Sequence, residues 1–456
     1  MCIRASKKIN SGGIYMPQLE LDPQKVYHMP KSICIEKIDN QYLIISPDTA
    51  NWILAENENQ LEVYKELSSG KCVIDVIQNQ PQEKINDVIH ILTELEAKKF
   101  ENEYINYPQE HGMYVYLTNR CNQRCAHCYM YAGEEKEQEL STLEIKNLLF
   151  EFATCGGKVV TFTGGEATLR ADFSEIVYSA KKNGLTVGVL SNGILWSQEF
   201  VEKNKEYIDE VQISIDGYDQ QSYRAVRGTD SFDITLDAVE RLLNAGIRVT
   251  IAITPLMGTL IGNESKYISF ANKLIEKYKD KEFFVKFNTE LLDGRTIKPT
   301  DEENMQYKKS IKDIKTACMS NSDEEGFALD HRNNTVFNNC GYGGITVASN
   351  GDVFFCNLVS QCVKQANIRQ NSFAGINELS KRARELSNIN NLMPCNSCSL
   401  KYLCGGGCRV KYFKTLVSTQ VSVSKSSKIV RTISCTKEYK ENVLRLMVKA
   451  NQYFYL

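Results

Sequence analysis

Short apolar runs alternate with amphipathic segments through the middle of the chain, from about residue 110 to residue 290. The runs are rich in β-branched and aromatic residues and predict six strands: MYVYLTN, VVTFTGG, LTVGVLSNG, VQISIDG, VTIAITP and FFVKFN. Segments with apolar residues at helical spacing separate them, for example STLEIKNLLFEFAT and SFDITLDAVERLLNAG. Repeated strand and helix units predict an α/β fold with a parallel sheet or barrel, whose functional groups collect at the carboxyl ends of the strands.

A different pattern occupies residues 23–105. Two alternating stretches, ICIEKID and QYLIIS, meet at Asn40 and predict a short β-hairpin. Three helical stretches follow, so this part of the chain predicts a winged-helix-like domain. Between Lys25 and Lys99, eight lysines are outweighed by twelve acidic residues. The domain therefore lacks the basic face that reading DNA requires.

The last third of the chain changes character again. Residues 291–339 are polar and rich in lysine, and they predict a bridging region of helix and loop. Residues 340–440 are rich in cysteine and glycine, and the stretch GGITVASNGDVFFC within them predicts a second hairpin. Residues 441–456 predict a C-terminal helix.

The overall composition is that of an ordinary globular protein, with 42% apolar and 24% charged residues. At 456 residues, several domains are expected. No apolar run approaches the ~20 residues that span a bilayer, and no apolar segment follows the first cations as in a secretion signal. We therefore expect a cytoplasmic protein that does not enter the membrane. The net charge of −2 gives no bulk attraction for nucleic acid.

Cysteine is the unusual feature of this composition, with 16 residues in a chain expected in the reducing cytoplasm. Structural disulfides are rare in that compartment, so the thiols are expected to be metal ligands or reactive groups. One group consists of Cys121, Cys125 and Cys128. A second group lies in the last third of the chain and consists of Cys340, Cys356, Cys395, Cys398, Cys404, Cys408 and Cys435.

The first group lies on one short loop that follows the first predicted strand of the α/β region, in the stretch RCNQRCAHCY. Structural zinc needs four ligands, usually supplied as two separated pairs. A [4Fe-4S] cluster held by three cysteines instead leaves one iron without a protein ligand, where another molecule can bind. The alternative is a zinc site completed by His127 or by a distant side chain.

A C-x3-C-x2-C loop after the first strand of a βα repeat resembles the radical S-adenosylmethionine (radical SAM) superfamily. The resemblance implies a partial (β/α)6 TIM-like barrel. It also implies that Cys121, Cys125 and Cys128 hold a [4Fe-4S] cluster whose open iron binds the methionine part of S-adenosylmethionine. An electron from the cluster then cleaves the sulfonium and produces a 5'-deoxyadenosyl radical.

The resemblance extends to residues at the ends of the following strands. It assigns contacts with S-adenosylmethionine to His127, Gly164, Gly165, Glu166, Asn192, Ser214 and Arg227. In these assignments His127 meets the adenine, the Gly-Gly-Glu motif meets the methionine amino group, and Arg227 is a partner for a carboxylate. The alternative is that the motif is an ordinary turn, and that the other positions are plain strand ends or a surface cation.

The seven-cysteine group resembles the SPASM extension of radical SAM enzymes, which holds two auxiliary [4Fe-4S] clusters. By resemblance, Cys340, Cys356 and Cys408 bind the cluster nearer the substrate. The ligands of the outer cluster are Cys395, Cys398, Cys404 and Cys435. Seven ligands leave one position without a cysteine, so either Cys318 or Cys362 serves there, or one iron stays open. The alternative to the clusters is one or two zinc ribbons.

A winged-helix-like module ahead of a radical SAM barrel resembles the peptide-recognition element of enzymes that modify ribosomally made peptides. A leader peptide can add a strand to the wing of such a module. The resemblance implies a peptide maturase that uses a radical and receives electrons from a reducing partner such as flavodoxin or ferredoxin.

A thioether crosslink is the leading product of such a maturase. Carbon–carbon crosslinking and epimerisation are alternatives, the latter with Cys155, Cys318 or Cys362 returning the hydrogen unless these are simply buried thiols. Two further alternatives are a sulfatase-type or cofactor-biosynthesis enzyme of the same family, and a non-enzymatic zinc or redox-sensing protein.

Overall fold

The computed structural model describes residues 21–103, 112–135, 138–318, 323–331, 340–422 and 429–455. Part of the predicted bridging region, residues 319–322 and 332–339, lies outside the described residues. Within the described part of the chain, no helix combines the length and the apolar character that crossing a membrane requires.

The first domain contains a three-stranded antiparallel sheet and three helices. Its elements are β1 (Cys34–Ile38), β2 (Gln41–Ser46), β3 (Asn51–Ala55), α1 (Glu58–Ser68), α2 (Val73–Asn79) and α3 (Ile85–Ala97). The predicted hairpin is confirmed as β1 and β2, which pair in antiparallel register. The strand β3, which pairs with β2, was not predicted. The winged-helix description of this domain stays a prediction.

The two faces of this sheet are both covered, which explains why β3 was missed. Ile53 and Ala55 on one face pack against the helices of the domain. Trp52 and Leu54 on the other face pack against residues from the last part of the chain: Leu400, Leu403, Leu444 and Met447. A strand buried on both faces has no alternation of apolar and polar residues, so its sequence carries no period of two.

The six strands predicted in the middle of the chain are confirmed. They are β4 (Gly112–Tyr116), β5 (Val159–Thr163), β6 (Thr186–Ser191), β7 (Glu210–Ser214), β8 (Arg248–Ile253) and β9 (Phe283–Phe287). They run parallel in the order of the chain, so their carboxyl ends share one edge. The helices between them are α4 (Thr142–Thr154), α5 (Phe173–Lys182), α6 (Gln198–Asn204), α7 (Gln220–Arg227), α8 (Phe232–Asn244), α9 (Met257–Leu260) and α10 (Glu264–Lys277).

The remaining elements follow β9. The helices are α11 (Asp301–Cys318), α12 (Asp323–His331), α13 (Phe373–Leu386), α14 (Lys401–Cys404), α15 (Arg409–Tyr412), α16 (Lys414–Val417) and α17 (Lys437–Ala450). The strands are β10 (Ile345–Val347), β11 (Asp352–Phe354), β12 (Ala366–Asn367), β13 (Leu392–Met393) and β14 (Ile429–Val430). The helix α11, in the predicted bridging region, packs against α10, and α12 packs against α17.

The parallel sheet continues beyond β4 into the cysteine-rich part of the chain. The predicted second hairpin is confirmed as β10 and β11, and β10 pairs in parallel with β4. The nine-stranded sheet has the order β12-β11-β10-β4-β5-β6-β7-β8-β9, and within the described residues its first and last strands do not pair. Cys356 closely follows β11 and lies near Tyr116, the last residue of β4, and near Tyr129 of the cysteine loop.

A buried ion pair attaches the first domain to the end of the chain. The Nζ atom of Lys98 lies 3.1 Å from Oε2 of Glu94, and both side chains are buried. Asn451 donates a hydrogen bond of 2.8 Å to Glu94 and accepts one from Lys98. The ammonium of Lys98 also lies 4.9 Å from the ring centroid of Trp52. Burial lowers the pKa of Lys98, and the attraction of Glu94 opposes this shift.

Candidate active site

A cavity of about 520 Å³ opens at the carboxyl edge of the parallel sheet. Its lining includes every residue that the sequence assigned to the first cluster or to S-adenosylmethionine: Cys121, Cys125, His127, Cys128, Gly164, Gly165, Glu166, Asn192, Ser214 and Arg227. These residues are far apart in the chain and meet because parallel strands end at one edge. The volume and position of the cavity are typical of a small-molecule site. The roles of the individual residues stay predictions.

Two of the three cysteines of the loop receive a hydrogen bond at sulfur from the protein. The N–H of Gln123 donates to the sulfur of Cys121 at 3.4 Å, and Nη1 of Arg227 donates to the sulfur of Cys125 at 3.7 Å. Burial raises the pKa of Cys121 to about 11. Burial also raises the pKa of Cys125, and the guanidinium of Arg227 opposes this shift.

The donor set fits a [4Fe-4S] cluster with one open iron, because the cavity wall carries three thiols from one short loop. In the described part of the chain, no three His, Cys, Asp or Glu side chains converge closely enough to hold one metal ion. A cubane binds each thiolate through a different iron, so its ligands surround a cluster rather than a single point.

The two glycines of the Gly-Gly-Glu motif position the cysteine loop. At Gly164, where φ is +148°, an added Cβ would lie 2.4 Å from the carbonyl oxygen of Thr118. At Gly165 it would lie 2.1 Å from the carbonyl oxygen of Arg120. The N–H of Gly165 donates to Thr118 and the N–H of Glu166 donates to Arg120, both at 2.8 Å. The glycines thus allow close contact with the segment that leads into the cysteines.

The carboxylate of Glu166 connects the ends of β5 and β6. One oxygen accepts hydrogen bonds from the hydroxyls of Thr168 at 2.6 Å and Ser191 at 2.9 Å. The other oxygen accepts the N–H of Asn192 at 2.7 Å. Burial raises the pKa of Glu166, and these hydrogen bonds oppose the shift. The first oxygen also accepts the N–H of Thr168 at 3.3 Å and has no lone pair left, whereas the second, Oε2, can accept a further donor from a ligand in the cavity.

Asp216 is a buried carboxylate beside the cysteine loop, and sequence reasoning assigned it no role. Its Oδ2 atom lies 2.5 Å from Nε of Arg227 and 3.3 Å from Nε2 of His127. Its Oδ1 atom accepts the N–H of Thr254 at 2.7 Å. Burial alone would lower the pKa of Arg227, but the attractions of Asp216, Cys125 and Tyr223 together outweigh it, and the pKa is raised. Arg227 therefore already has a carboxylate partner within the protein.

His127 presents an unsatisfied polar atom to this site. Its Nδ1 atom is buried and has no hydrogen-bond partner among the described residues. Burial lowers the pKa of His127, and the attraction of Asp216 opposes this shift. An unsatisfied buried nitrogen in a cavity wall suits a ligand with a polar edge, as an adenine ring has.

A pair of tyrosines that sequence reasoning also missed lies between the two cysteine groups. The hydroxyls of Tyr116 and Tyr129 are 3.0 Å apart, and Tyr116 donates to the carbonyl oxygen of Asn357 at 2.8 Å. Both tyrosines line the cavity, and Tyr129 is close to the sulfurs of Cys128 and Cys356. The sequence signals for this pair were the position of Tyr116 at the carboxyl end of β4 and that of Tyr129 directly after Cys128.

The predicted ligands of the cluster nearer the substrate meet beside the cavity. The thiol of Cys340 donates a hydrogen bond to Cys408, which lowers the pKa of Cys408 to about 6. The thiol of Cys362 donates to Cys356, and Cys362 is also close to Cys340 and Cys408. Asn357, the neighbour of Cys356 in the chain, lines the cavity.

The predicted ligands of the outer cluster also come together. Cys395 and Cys435 are each close to both Cys404 and Cys398. Cys318 lies elsewhere, with its sulfur 3.8 Å from the carbonyl oxygen of Ile268 on α10. The structure therefore brings together both sets that the sequence proposed as cluster ligands and leaves Cys318 apart from them.

Comparison with known proteins identifies the sheet region. Residues 115–264 match the Radical SAM superfamily. The chain is 33% identical over 165 residues to Fe-coproporphyrin III synthase of Methanosarcina barkeri, an alignment that covers 35% of this chain and 41% of that protein. It is 36% identical over 143 residues to mycofactocin maturase MftC of Mycolicibacterium smegmatis, covering 30% of this chain and 36% of that protein. The chain thus spans less than half the length of these two relatives.

A solved structure resembles the fold over a larger part of the chain than the sequence alignments cover. Native anSMEcpe with bound AdoMet and Kp18Cys peptide superimposes with a TM-score of 0.53 at 18% sequence identity. The superposition covers 75% of this chain and 99% of that chain. At this level of identity the likeness concerns the fold alone.

Proposed function

We propose that this chain, whose residues 115–264 form a radical SAM domain, is a peptide maturase that acts on a ribosomally made precursor and forms a thioether crosslink. The observation that carries the proposal is the single cavity lined by three thiols and by every residue assigned to S-adenosylmethionine. The likeness to mycofactocin maturase MftC supports a maturase. The cofactors are S-adenosylmethionine and three [4Fe-4S] clusters, of which two are auxiliary.

Different residues of the cavity bind the first cluster and orient S-adenosylmethionine. When bound, the first cluster supplies the electron that cleaves S-adenosylmethionine. Cys121, Cys125 and Cys128 hold it, and Asp216 keeps Arg227 directed at the sulfur of Cys125. The remaining lone pair of Oε2 of Glu166 suits an ammonium group.

Anaerobic reconstitution tests the proposal directly. The protein should bind on the order of 12 irons if three cubanes form. With a reductant such as flavodoxin, ferredoxin or dithionite, it should convert S-adenosylmethionine to 5'-deoxyadenosine. Mass spectrometry of the precursor should show the loss of two hydrogens together with loss of a thiol that iodoacetamide can alkylate. A carbon–carbon bond would leave that thiol, and epimerisation would leave the mass unchanged.

The first domain offers one open strand edge for a leader peptide. The edge of β3 is closed by α3, because the N–H of Leu54 donates to Glu94 at 2.8 Å and its carbonyl oxygen lies 3.0 Å from Nε2 of His90. The strand β1 pairs only with β2 among the described residues, and its Ile35 side chain is 41% exposed. We therefore assign strand addition by the leader to β1.

The register of the sheet identifies the main-chain groups at this open edge. In antiparallel pairing, residues alternate between groups that point to the partner strand and groups that point away. The main-chain groups of Leu54 point away from β2, so those of its partner Leu43 point to β1, where Leu43 faces Glu36. Ile35 and Lys37, on either side of Glu36, therefore direct their main-chain groups outwards.

Replacing Lys37 with proline should weaken binding of the precursor by about tenfold, or ~1.4 kcal/mol. Proline removes the outward N–H without interrupting the pairing of β1 with β2, since proline is tolerated on edge strands with that N–H facing outwards. Titration of a fluorescent precursor measures the effect. Lys37→Ala is the matched control, because it loses the same charge and keeps the N–H. Equal affinity of the proline and alanine variants would contradict docking at β1.

A second candidate function is favoured by the likeness to Fe-coproporphyrin III synthase, whose name indicates a small-molecule product. In that case the chain is a cofactor-biosynthesis enzyme of the same superfamily. The precursor would then gain no modification, while 5'-deoxyadenosine would still form. The Lys37→Pro variant would also turn over S-adenosylmethionine at the rate of the unmodified chain.

A further inference from the structure

We infer that Cys362 is the fourth protein ligand of the auxiliary cluster nearer the cavity, so that no iron of this cluster is open to the substrate. The inference rests on the proposed function, which supplies the cluster. The ligand assignment distinguishes a cluster whose open iron coordinates a substrate thiolate from a cluster whose four irons are all coordinated by the protein.

Four thiols form two pairs around one place beside the cavity. The thiol of Cys340 is adjacent to that of Cys408, and the thiol of Cys356 is adjacent to that of Cys362. All four side chains are partly buried against the main apolar core. Cys362 is also close to both members of the other pair. The buried ring of Tyr342 is close to Cys340, Cys356 and Cys362, so the two pairs of thiols lie next to the same side chain. Four thiols from four points of the chain are the donor set of a complete cubane.

The local chain path explains how Cys362 reaches this place. Between Cys356 and Cys362 the chain makes one turn of 3-10 helix at Val359–Gln361, and the strands β11 and β12 on either side of this segment are antiparallel. The next residue is held in place, because the N–H of Val363 donates to the carbonyl oxygen of Val417 at 3.0 Å. The turn and this hydrogen bond return the thiol of Cys362 to that of Cys356.

The surrounding main chain is suited to a thiolate-bound cluster. The N–H of Arg409 donates to the sulfur of Cys340 at 3.4 Å, and the N–H of Leu358 donates to the sulfur of Cys356 at 3.5 Å. Hydrogen bonds to the sulfurs are one means by which proteins tune iron–sulfur centres.

The other described cysteines do not compete for this position. Cys34 lies on β1 near Cys398, and Cys72 immediately precedes α2. Cys318 lies against the carbonyl oxygen of Ile268, on the helix α10. Cys155 is exposed at the end of α4. The four predicted outer ligands are close to one another and form their own set. Cys362 is thus the one thiol outside the predicted sets that the described structure brings to Cys340, Cys356 and Cys408.

Enclosure by four cysteines has a chemical consequence for the substrate. A cysteine of the precursor cannot coordinate an iron that already has a protein thiolate. Asn357 and Leu358 line the cavity beside Cys356, so the cluster still adjoins the substrate space. Its contribution is therefore restricted to electron transfer, and it does not bind the substrate.

The test uses the full chain with Cys121, Cys125 and Cys128 replaced by alanine, so that only the auxiliary clusters contribute to spectra. This background should bind about 8 irons. Adding Cys362→Ala should lower the iron content or produce a three-iron signal in electron paramagnetic resonance. It should also make the spectrum of the reduced protein shift when 2-mercaptoethanol is added. Cys318→Ala is the matched control and should change neither iron content nor spectrum.

The outcomes separate the ligand assignment from the proposed function. Unchanged iron content and a spectrum that ignores 2-mercaptoethanol in Cys362→Ala would overturn the assignment. Should that variant fail to fold, Cys362→Ser keeps an oxygen ligand and should retain four irons with an altered spectrum, and an unaltered spectrum would overturn it. Absence of auxiliary iron in the background protein would instead reject the cofactor content of the proposed function.

Discussion

Replacing Cys125 with alanine is expected to abolish reductive cleavage of S-adenosylmethionine. Cys125 is the buried member of the cysteine loop, and its sulfur accepts a hydrogen bond from Arg227 at 3.7 Å. Loss of this thiolate leaves the cluster with two protein ligands, so it should not assemble with the single open iron that the cofactor requires. Chromatography of 5'-deoxyadenosine from the reduced, reconstituted protein should show formation only at the level of protein without iron.

The control for this substitution is Cys155→Ala, which makes the same chemical change at the exposed end of α4. It should retain the iron content and the cleavage of the unmodified chain. Undiminished cleavage by Cys125→Ala would show that the three thiols of the loop do not hold the reactive cluster.

Replacing Asp216 with asparagine is expected to destabilise the domain by about 3 kcal/mol, because it leaves a buried guanidinium without its counter-charge. Arg227 and Asp216 are both buried, and their atoms Nε and Oδ2 lie 2.5 Å apart. Asparagine has a similar size and keeps an oxygen that can accept the N–H of Thr254. The melting temperature should fall by about 10 °C. Iron content should also fall, since Arg227 would no longer be held beside Cys125.

A double variant separates the charge from the shape. Asp216→Asn combined with Arg227→Met removes both charges, so thermal unfolding should recover most of the loss, as for other buried pairs replaced by uncharged residues. A melting temperature of the single variant equal to that of the unmodified chain would contradict the role given to this pair.

The first domain also bears on how peptide docking is best tested. One face of its sheet packs against Leu400, Leu403, Leu444 and Met447. Lys98 and Glu94 bind Asn451 near the end of the chain. Removing the whole domain would therefore expose apolar surface next to the predicted outer cluster. A single change at the open edge of β1 avoids this disturbance, because Lys37 does not belong to that packed face.

Local sequence patterns were sufficient to predict elements whose residue types are set by one physical requirement, such as burial on both faces of a sheet. The strands β4 to β9 are read from runs of β-branched and aromatic residues, because strands of a parallel sheet are covered on both sides and bounded by turns. The ten predicted residues that line the cavity were found because nearly all of them lie in motifs that directly follow those strands, the exception being Arg227 at the end of α7. The strand β3 was missed, since packing from the end of the chain removed its polar face.

The sequence by itself determined the thiol inventory, the six parallel strands and the side chains at their carboxyl ends, because spacing and periodicity are local properties of the chain. The tertiary structure alone decided which groups meet across long separations. It paired Asp216 with Arg227, placed Cys362 with Cys356 and closed the edge of β3 with Glu94 and His90. Such contacts depend on how packed layers bring distant segments together. The residues next to a buried carboxylate or an extra cysteine in the sequence do not indicate which distant residue it will contact.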